Sequence, residues 1–200
     1  MAHGSDEDAR LEALGIRVMQ EARPDVRDEC IRVARRLRHA GKKIIGLLPS
    51  SNDIGVSAIA VQLGLALAEV SGGTVAFVDA NLRWPAISDL AAGAAAAGDE
   101  SVFATRWLRG SLALLTPLRA GAAGAGVPQL ARVIQHGAEL FAQVLVDLTG
   151  FQRLGEHLAA IEMVDGVLVV GRAGRTREDE LLELRLELAK DRQLGVLLVG

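Results

Sequence analysis

Short apolar runs of strand length alternate with segments of helical spacing along most of this chain, and that alternation constrains its fold more than any other feature. Lys43 to Leu48, Thr74 to Val78, Val144 to Asp147, Gly166 to Val170 and Val196 to Val199 are apolar at nearly every position. Such strands need cover on both faces of the pleat. Ser111 to Leu115 is a weaker run of the same kind. Between the runs, Asp25 to His39, Val56 to Val70, Pro128 to Ala142, Gln152 to Met163 and Thr176 to Asp191 have helical spacing. Doubly covered strands separated by helices predict a mostly parallel sheet between two helical layers, a three-layer α/β/α sandwich. The small-residue stretches Ala91 to Gly98 and Arg119 to Gly126 read as loops. Residues 1–24 are polar and loosely helical and read as an N-terminal extension to a domain over 25–200.

Composition narrows the partners. Lys+Arg is 22 and Asp+Glu is 25, a net charge of −3, which gives no electrostatic case for nucleic-acid binding or for a polybasic membrane anchor. No run reaches the roughly 20 apolar residues of a membrane span, and the acidic N-terminus lacks the order of a signal peptide. The expectation is a cytoplasmic protein with no direct membrane insertion. Cys30 is the single cysteine, so no intrachain disulfide can form. His3, His39, His136 and His157 are scattered without metal-ligand spacing and read as solvated surface residues. The chain has no tyrosine, and only three lysines (Lys42, Lys43, Lys190) against nineteen arginines, which limits any chemistry that needs either residue at a fixed place.

In a doubly wound sheet the ligand site lies at the carboxyl ends of the strands. The first strand ends near Leu48 and is followed by Pro49-Ser50-Ser51-Asn52-Asp53-Ile54-Gly55-Val56-Ser57 and then a helix. This is the place of a phosphate-binding loop, where backbone N–H groups wrap phosphates, a lysine adds its ammonium and a Ser or Thr hydroxyl holds magnesium.

Here the residues resemble a family. The stretch IIGLLPSSNDIGVSAIAVQLGLALAEVSGGTVAFVDANLRWP is similar to the bacterial tyrosine kinases of capsule and exopolysaccharide synthesis, part of the ParA/MinD group of P-loop NTPases with a deviant Walker A motif. Asp79-Ala80-Asn81-Leu82-Arg83-Trp84-Pro85 stands where that family has D-A-D-L-R-R-P. Val144 to Gly150 matches its Walker B strand, and Asp165 to Arg177 its D-G-V-L-L-V-V-R-x-G-x-T-R segment. Glu29, Arg32 and Arg35 match its E-x-x-R-x-x-R helix, which the resemblance assigns to contacts between subunits. The resemblance covers about residues 25–200 and implies the P-loop fold, ATP and magnesium as ligands, and a transmembrane co-polymerase whose cytoplasmic tail is the partner.

The departures from the pattern set the expected function. The Walker lysine position is Val56, and the signature lysine of the ParA/MinD loop falls at Ser51. Two loop glycines are replaced by Asn52 and Asp53, and Gly55 remains. The loop thus loses its cation and gains a carboxylate. A like-charge contact at ~4 Å costs roughly 4 kcal/mol at an effective dielectric near 20. Arginine-rich codon usage does not account for a valine in place of a lysine. Ser57, Asp79 and Asp147 keep the magnesium-side positions, while the second acid of the D-A-D motif is Asn81. Asp79 and Asp147 read equally well as strand-end residues that cap a loop. The adenine-contacting asparagine of the family corresponds to Val199 or Gly200, and a chain without tyrosine has no tyrosine phosphoacceptor of its own.

Three weaker features complete the reading. Ser50, Ser51 and Ser57 have no histidine at a telling spacing for nucleophilic catalysis. The charged helix from Thr176 to Asp191 reads as a solvated face with i,i+4 pairs. Arg83 and Trp84 sit beside the loop, with Trp84 expected to pack, or, if exposed, to serve an interface. The resulting expectation is a catalytically degenerate kinase-like subunit without a cofactor, assembling with itself, a relative or a membrane protein and so recruited to the inner membrane. The alternatives are a residual ATP-binding ATPase or kinase that uses a substitute arginine, and a ParA/MinD-like positioning scaffold for pilus or motility machinery.

Overall fold

Helix α1 (Pro24–His39) opens the described chain, with Pro24 at the first helical position, Asp25 in the first turn and Arg36, Arg38 and His39 in the last. The computed structural model describes residues 24–51, 54–87, 103–118, 123–154 and 156–200, and at 123–127 and 152–154 the backbone alone. The N-terminal extension up to residue 23, the loop expected over 91–98, and Asn52 and Asp53 lie outside the described residues.

After α1 come β1 (Ile44–Pro49), α2 (Val56–Ser71), β2 (Val75–Asp79), β3 (Phe103–Leu108), β4 (Leu112–Pro117) and α3 (Ala123–Leu140). The chain continues with β5 (Gln143–Asp147), α4 (Thr149–Leu154), α5 (His157–Ile161), β6 (Gly166–Arg172), α6 (Glu178–Glu187), a 3-10 turn (Lys190–Arg192) and β7 (Gln193–Val199). The strands form one seven-stranded sheet in the order β3-β4-β2-β5-β1-β6-β7. Pairing is parallel throughout except between β3 and β4.

The period-two alternation of the strands divides the core into two layers. Ile45, Leu47, Val75, Phe77 and Val170 face one side, where α1 and α2 pack. Ala76, Val78, Val144, Val146 and Val169 face the other, where Leu130 and Ile134 of α3, Phe151 of α4 and Ala160 of α5 pack. Helix α2 lies between the sheet and α1, so it is apolar nearly all round, and its C-terminus closes on Gly72 at φ 67°, where glycine carries no steric cost. The α/β/α sandwich expected from the sequence is the fold observed.

Four local expectations are corrected. β3 was not foreseen, because Thr105 and Arg106 interrupt its apolar run, as suits an edge strand whose outer groups meet solvent. The single helix expected over 152–163 is two, α4 and α5. Part of the loop expected over 119–126 is helix, since α3 starts at Ala123 and Pro128 lies inside it. The charged helix is shorter than expected, and the hydrogen-bonded pairs at its ends are Arg177 with Asp179 and His157 with Glu187 rather than i,i+4 pairs along its face. Its solvation is as expected, since α6 buries no residue fully. No helix among the described residues is long and apolar enough to cross a membrane.

Candidate functional site

The carboxyl ends of β1, β2, β5 and β6 converge at one pole of the sheet, and the candidate residues Ser57, Asp79 and Asp147 meet there. Asp79 and Asp147 are direct register partners across β2 and β5. Asp147 accepts a hydrogen bond from the Ser57 hydroxyl at 2.7 Å. Its other oxygen accepts from the Thr149 backbone N–H at 2.9 Å and from the Thr149 hydroxyl at 2.5 Å. Asp79 is fully buried and accepts from the backbone N–H groups of Asn81 (3.0 Å), Ala86 (2.7 Å) and Ile87 (3.3 Å). Both acids therefore cap the loops that follow their strands, as one of the two sequence readings had it.

Electrostatics separates the two. Burial, then the charge of Asp147, pushes the Asp79 carboxyl up to about 7, although its three backbone donors pull the other way. Desolvation outweighs three neutral N–H groups because a neighbouring carboxylate adds to it rather than offsetting it.

The loop before α2 has a specific closure. Gly55 has φ −75° and ψ 70°, and the Val56 N–H donates to the Ile54 carbonyl at 2.9 Å. Those values describe an inverse γ-turn. Ile54 and Val56 are 5% and 1% exposed, so both side chains belong to the core beneath the loop. The described part of the loop thus offers a phosphate neither an ammonium group nor the N–H of Val56. Nor can another lysine of the chain substitute. Lys42 and Lys43 precede β1 and Lys190 precedes β7, so all three stand at the amino ends of parallel strands. Six residues of strand separate that pole from the loop, about 20 Å. Ser51 is half-buried beside the turn.

Asn81, where the family has its second acid, is 4% exposed and accepts from the Trp84 N–H at 3.0 Å. This fixes the turn that carries Arg83 and Trp84. Arg83 is exposed, and Trp84 is 54% exposed, which corrects the expectation that it packs. A Cβ on Gly150 would lie 2.9 Å from the Asn81 Cα, so the β5–α4 turn needs glycine to approach that backbone. Thr149 and Gly150 were matched only as part of a motif, and nothing in their spacing revealed that one holds Asp147 and the other admits Asn81. Also unforeseen is the hydroxyl contact of Ser50 with Thr176 at 3.0 Å, which ties the end of β1 to the segment after β6.

The candidate subunit-contact residues lie elsewhere, on α1. Glu29 and Arg32 form an exposed intrahelical ion pair, and Arg35 is exposed one turn on. His157 is not the solvated residue expected: its side chain is 18% exposed and its Nε2 lies 2.8 Å from the Glu187 carboxylate. Among the described residues no cluster of His, Cys, Asp and Glu could hold a metal ion.

No protein-family model matches the sequence, and no curated protein does. Solved structures do. The BceF tyrosine kinase domain superposes with a TM-score of 0.64 at 20% identity, over 100% of this chain and 89% of that one. The fold is that of the bacterial tyrosine kinase domains. The kinase domain of the Escherichia coli tyrosine kinase ETK matches with a TM-score of 0.63 at 19% identity, over 96% of this chain and 92% of that one. A ParA family ATPase from Chlorobium tepidum matches less completely, with a TM-score of 0.52 at 18% identity over 78% of this chain and 73% of that one.

Proposed function

We propose that the chain is a catalytically degenerate subunit of the bacterial tyrosine kinase type. Its role is structural or regulatory within a membrane-associated assembly of polysaccharide synthesis or export. The observation that carries this reading is Val56. It stands at the lysine position, its side chain is part of the core, and its N–H is engaged by Ile54. With no lysine within reach, the phosphate end of a nucleoside triphosphate has lost the cation that the fold supplies elsewhere. Phosphoryl transfer depends almost wholly on that electrostatic stabilisation. The partners follow from the same resemblance: the cytoplasmic segment of a membrane protein, and further copies of this chain or of a related subunit. Arg83 and the exposed Trp84 suit such an interface, and Glu29, Arg32 and Arg35 a contact between subunits. Glu29→Arg would then change the mass measured by light scattering.

A second reading has its own support. The Ser57–Asp147 hydrogen bond keeps a hydroxyl and a carboxylate together on the magnesium side. Residual nucleotide binding through that pair, with an arginine in place of the lysine, makes the chain a weak ATPase. Turnover assays decide between the two. Purified protein that releases no phosphate from Mg-ATP above the level of its Asp147→Ala variant supports the degenerate subunit. Turnover that disappears in that variant supports the ATPase.

A further inference from the structure

β7 is an edge strand with the composition of an interior one. It ends the sheet beside β6 and, among the described residues, pairs with β6 alone. The opposite edge, β3, carries Thr105 and Arg106. From Leu194 to Val199, β7 has no charged or polar side chain and no proline, devices by which natural edges block further pairing, and its one irregularity, at Gly195 with φ 121°, lies before Val196. Both of its faces are apolar. Leu197 and Val199 pack toward α1 and α2, while Val196 and Leu198 turn to the other face and are 38% and 56% exposed.

One hydrogen bond shows which backbone groups face away from β6. The Val199 carbonyl accepts from the Ala173 N–H at 2.7 Å and so points toward β6. Backbone groups of successive strand residues aim at alternate edges. Those of Val196 and Leu198 therefore point away from β6. Alongside, a groove of about 590 Å³ runs between the N-terminal half of α1 and the end of β7, lined by Val26, Cys30, Val33, Leu197 and Val199. Val26 is 39% exposed there. Glu29 on its rim already pairs with Arg32.

We propose that this edge binds β7 of a second copy of the chain, antiparallel about Leu197, so that two sheets join into one. The register follows from the groups that face away from β6. With Leu197 on the twofold axis, Val196 of each copy stands opposite Leu198 of the other. Residues so paired exchange both N–H and C=O bonds. Centring on Leu198 instead places Val196 opposite Gly200, beyond the end of the strand, and centring on Val196 sets Leu198 against Leu194, across the irregularity at Gly195. A twofold axis normal to the sheet keeps each face with its like. The two Leu197 side chains meet at the mouth of the groove, and Val196 and Leu198 of both copies cover one another on the other face. Asp25 and Glu29 also line the groove and are exposed at its rim. The inference rests on strand chemistry and not on the loss of nucleotide binding, so the two can fail separately.

Light scattering of the full chain over a concentration series tests it. The dimer mass is expected for the chain carrying Arg35→Glu, which removes the contact proposed on α1, and the monomer mass when Leu198→Lys is added. Leu140→Lys, at a 75% exposed leucine on α3, is expected to remain dimeric. Leu197→Cys in a Cys30→Ser background is expected to oxidise to a covalent dimer, because directly opposed residues lie within disulfide range, and Leu140→Cys is not. A monomeric Arg35→Glu chain, or a dimer that survives the addition of Leu198→Lys, overturns the proposal. If Leu198→Lys fails to fold, the cross-link decides, and its absence overturns the proposal.

Discussion

Asp79 and Asp147 are register partners at the ends of β2 and β5, and Asp79, the more buried of the two, holds its proton up to about pH 7. The unfolded chain releases the same proton near its ordinary value of 3.8. The folded state therefore binds more protons than the unfolded state between these values, and stability falls with rising pH across that window. The contribution is complete below the unfolded value and is lost as pH passes through about 7. At about 1.4 kcal/mol per unit, its upper limit is roughly 4 kcal/mol. Urea titrations from acid to mildly alkaline pH should show this fall, and Asp79→Asn should flatten it. An identical slope in the variant would falsify the assignment to Asp79.

Asp147 depends on its hydroxyl partners. Ser57→Ala removes the donor at 2.7 Å and Thr149→Val the one at 2.5 Å, each leaving a carboxylate oxygen less satisfied in a site where Asp147 is 2% exposed. Each substitution is expected to cost about 1–3 kcal/mol in urea denaturation. The two together should be less than additive, because both donors serve one group.

Gly150 and Gly55 should respond oppositely to alanine. At Gly150 the new methyl meets the Asn81 backbone at 2.9 Å, and overpacking of this kind costs about 1–3 kcal/mol. At Gly55 nothing among the described residues lies within 4 Å and φ is −75°, which any residue adopts, so Gly55→Ala should be neutral or slightly stabilising. Thermal melts of both variants check the pair.

A lysine placed at position 56 should not by itself make a nucleotide site. Val56 is 1% exposed in the core beneath the loop, so Val56→Lys trades a packed side chain for a charge that must leave the interior. A loss of about 2 kcal/mol or more is expected. Nucleotide affinity should not change, because the γ-turn still closes the Val56 N–H on Ile54. Melting curves and nucleotide titration of the variant, measured together, separate these effects.

Much of this architecture is legible in the sequence. β1, β2, β5, β6 and β7 announce themselves by apolar residues on both faces, and α2 by a helix that is apolar at most positions. β3 does not, because Thr105 and Arg106 on an edge need no cover and leave no periodic signal. The site is legible only as positions. Ser57, Asp79 and Asp147 can be placed by motif, whereas their contacts are tertiary: the pairing of two strands from distant segments sets one carboxylate against the other. Val56 is visible as a missing cation. That it also completes the core, and that Gly55 turns its N–H inward, depends on packing that no spacing encodes.

The central claim is that this loop no longer grips a triphosphate, and isothermal titration calorimetry with Mg-ATP tests it most directly. The account predicts no saturable heat at micromolar nucleotide. Micromolar binding that is lost in Asp147→Ala would contradict it.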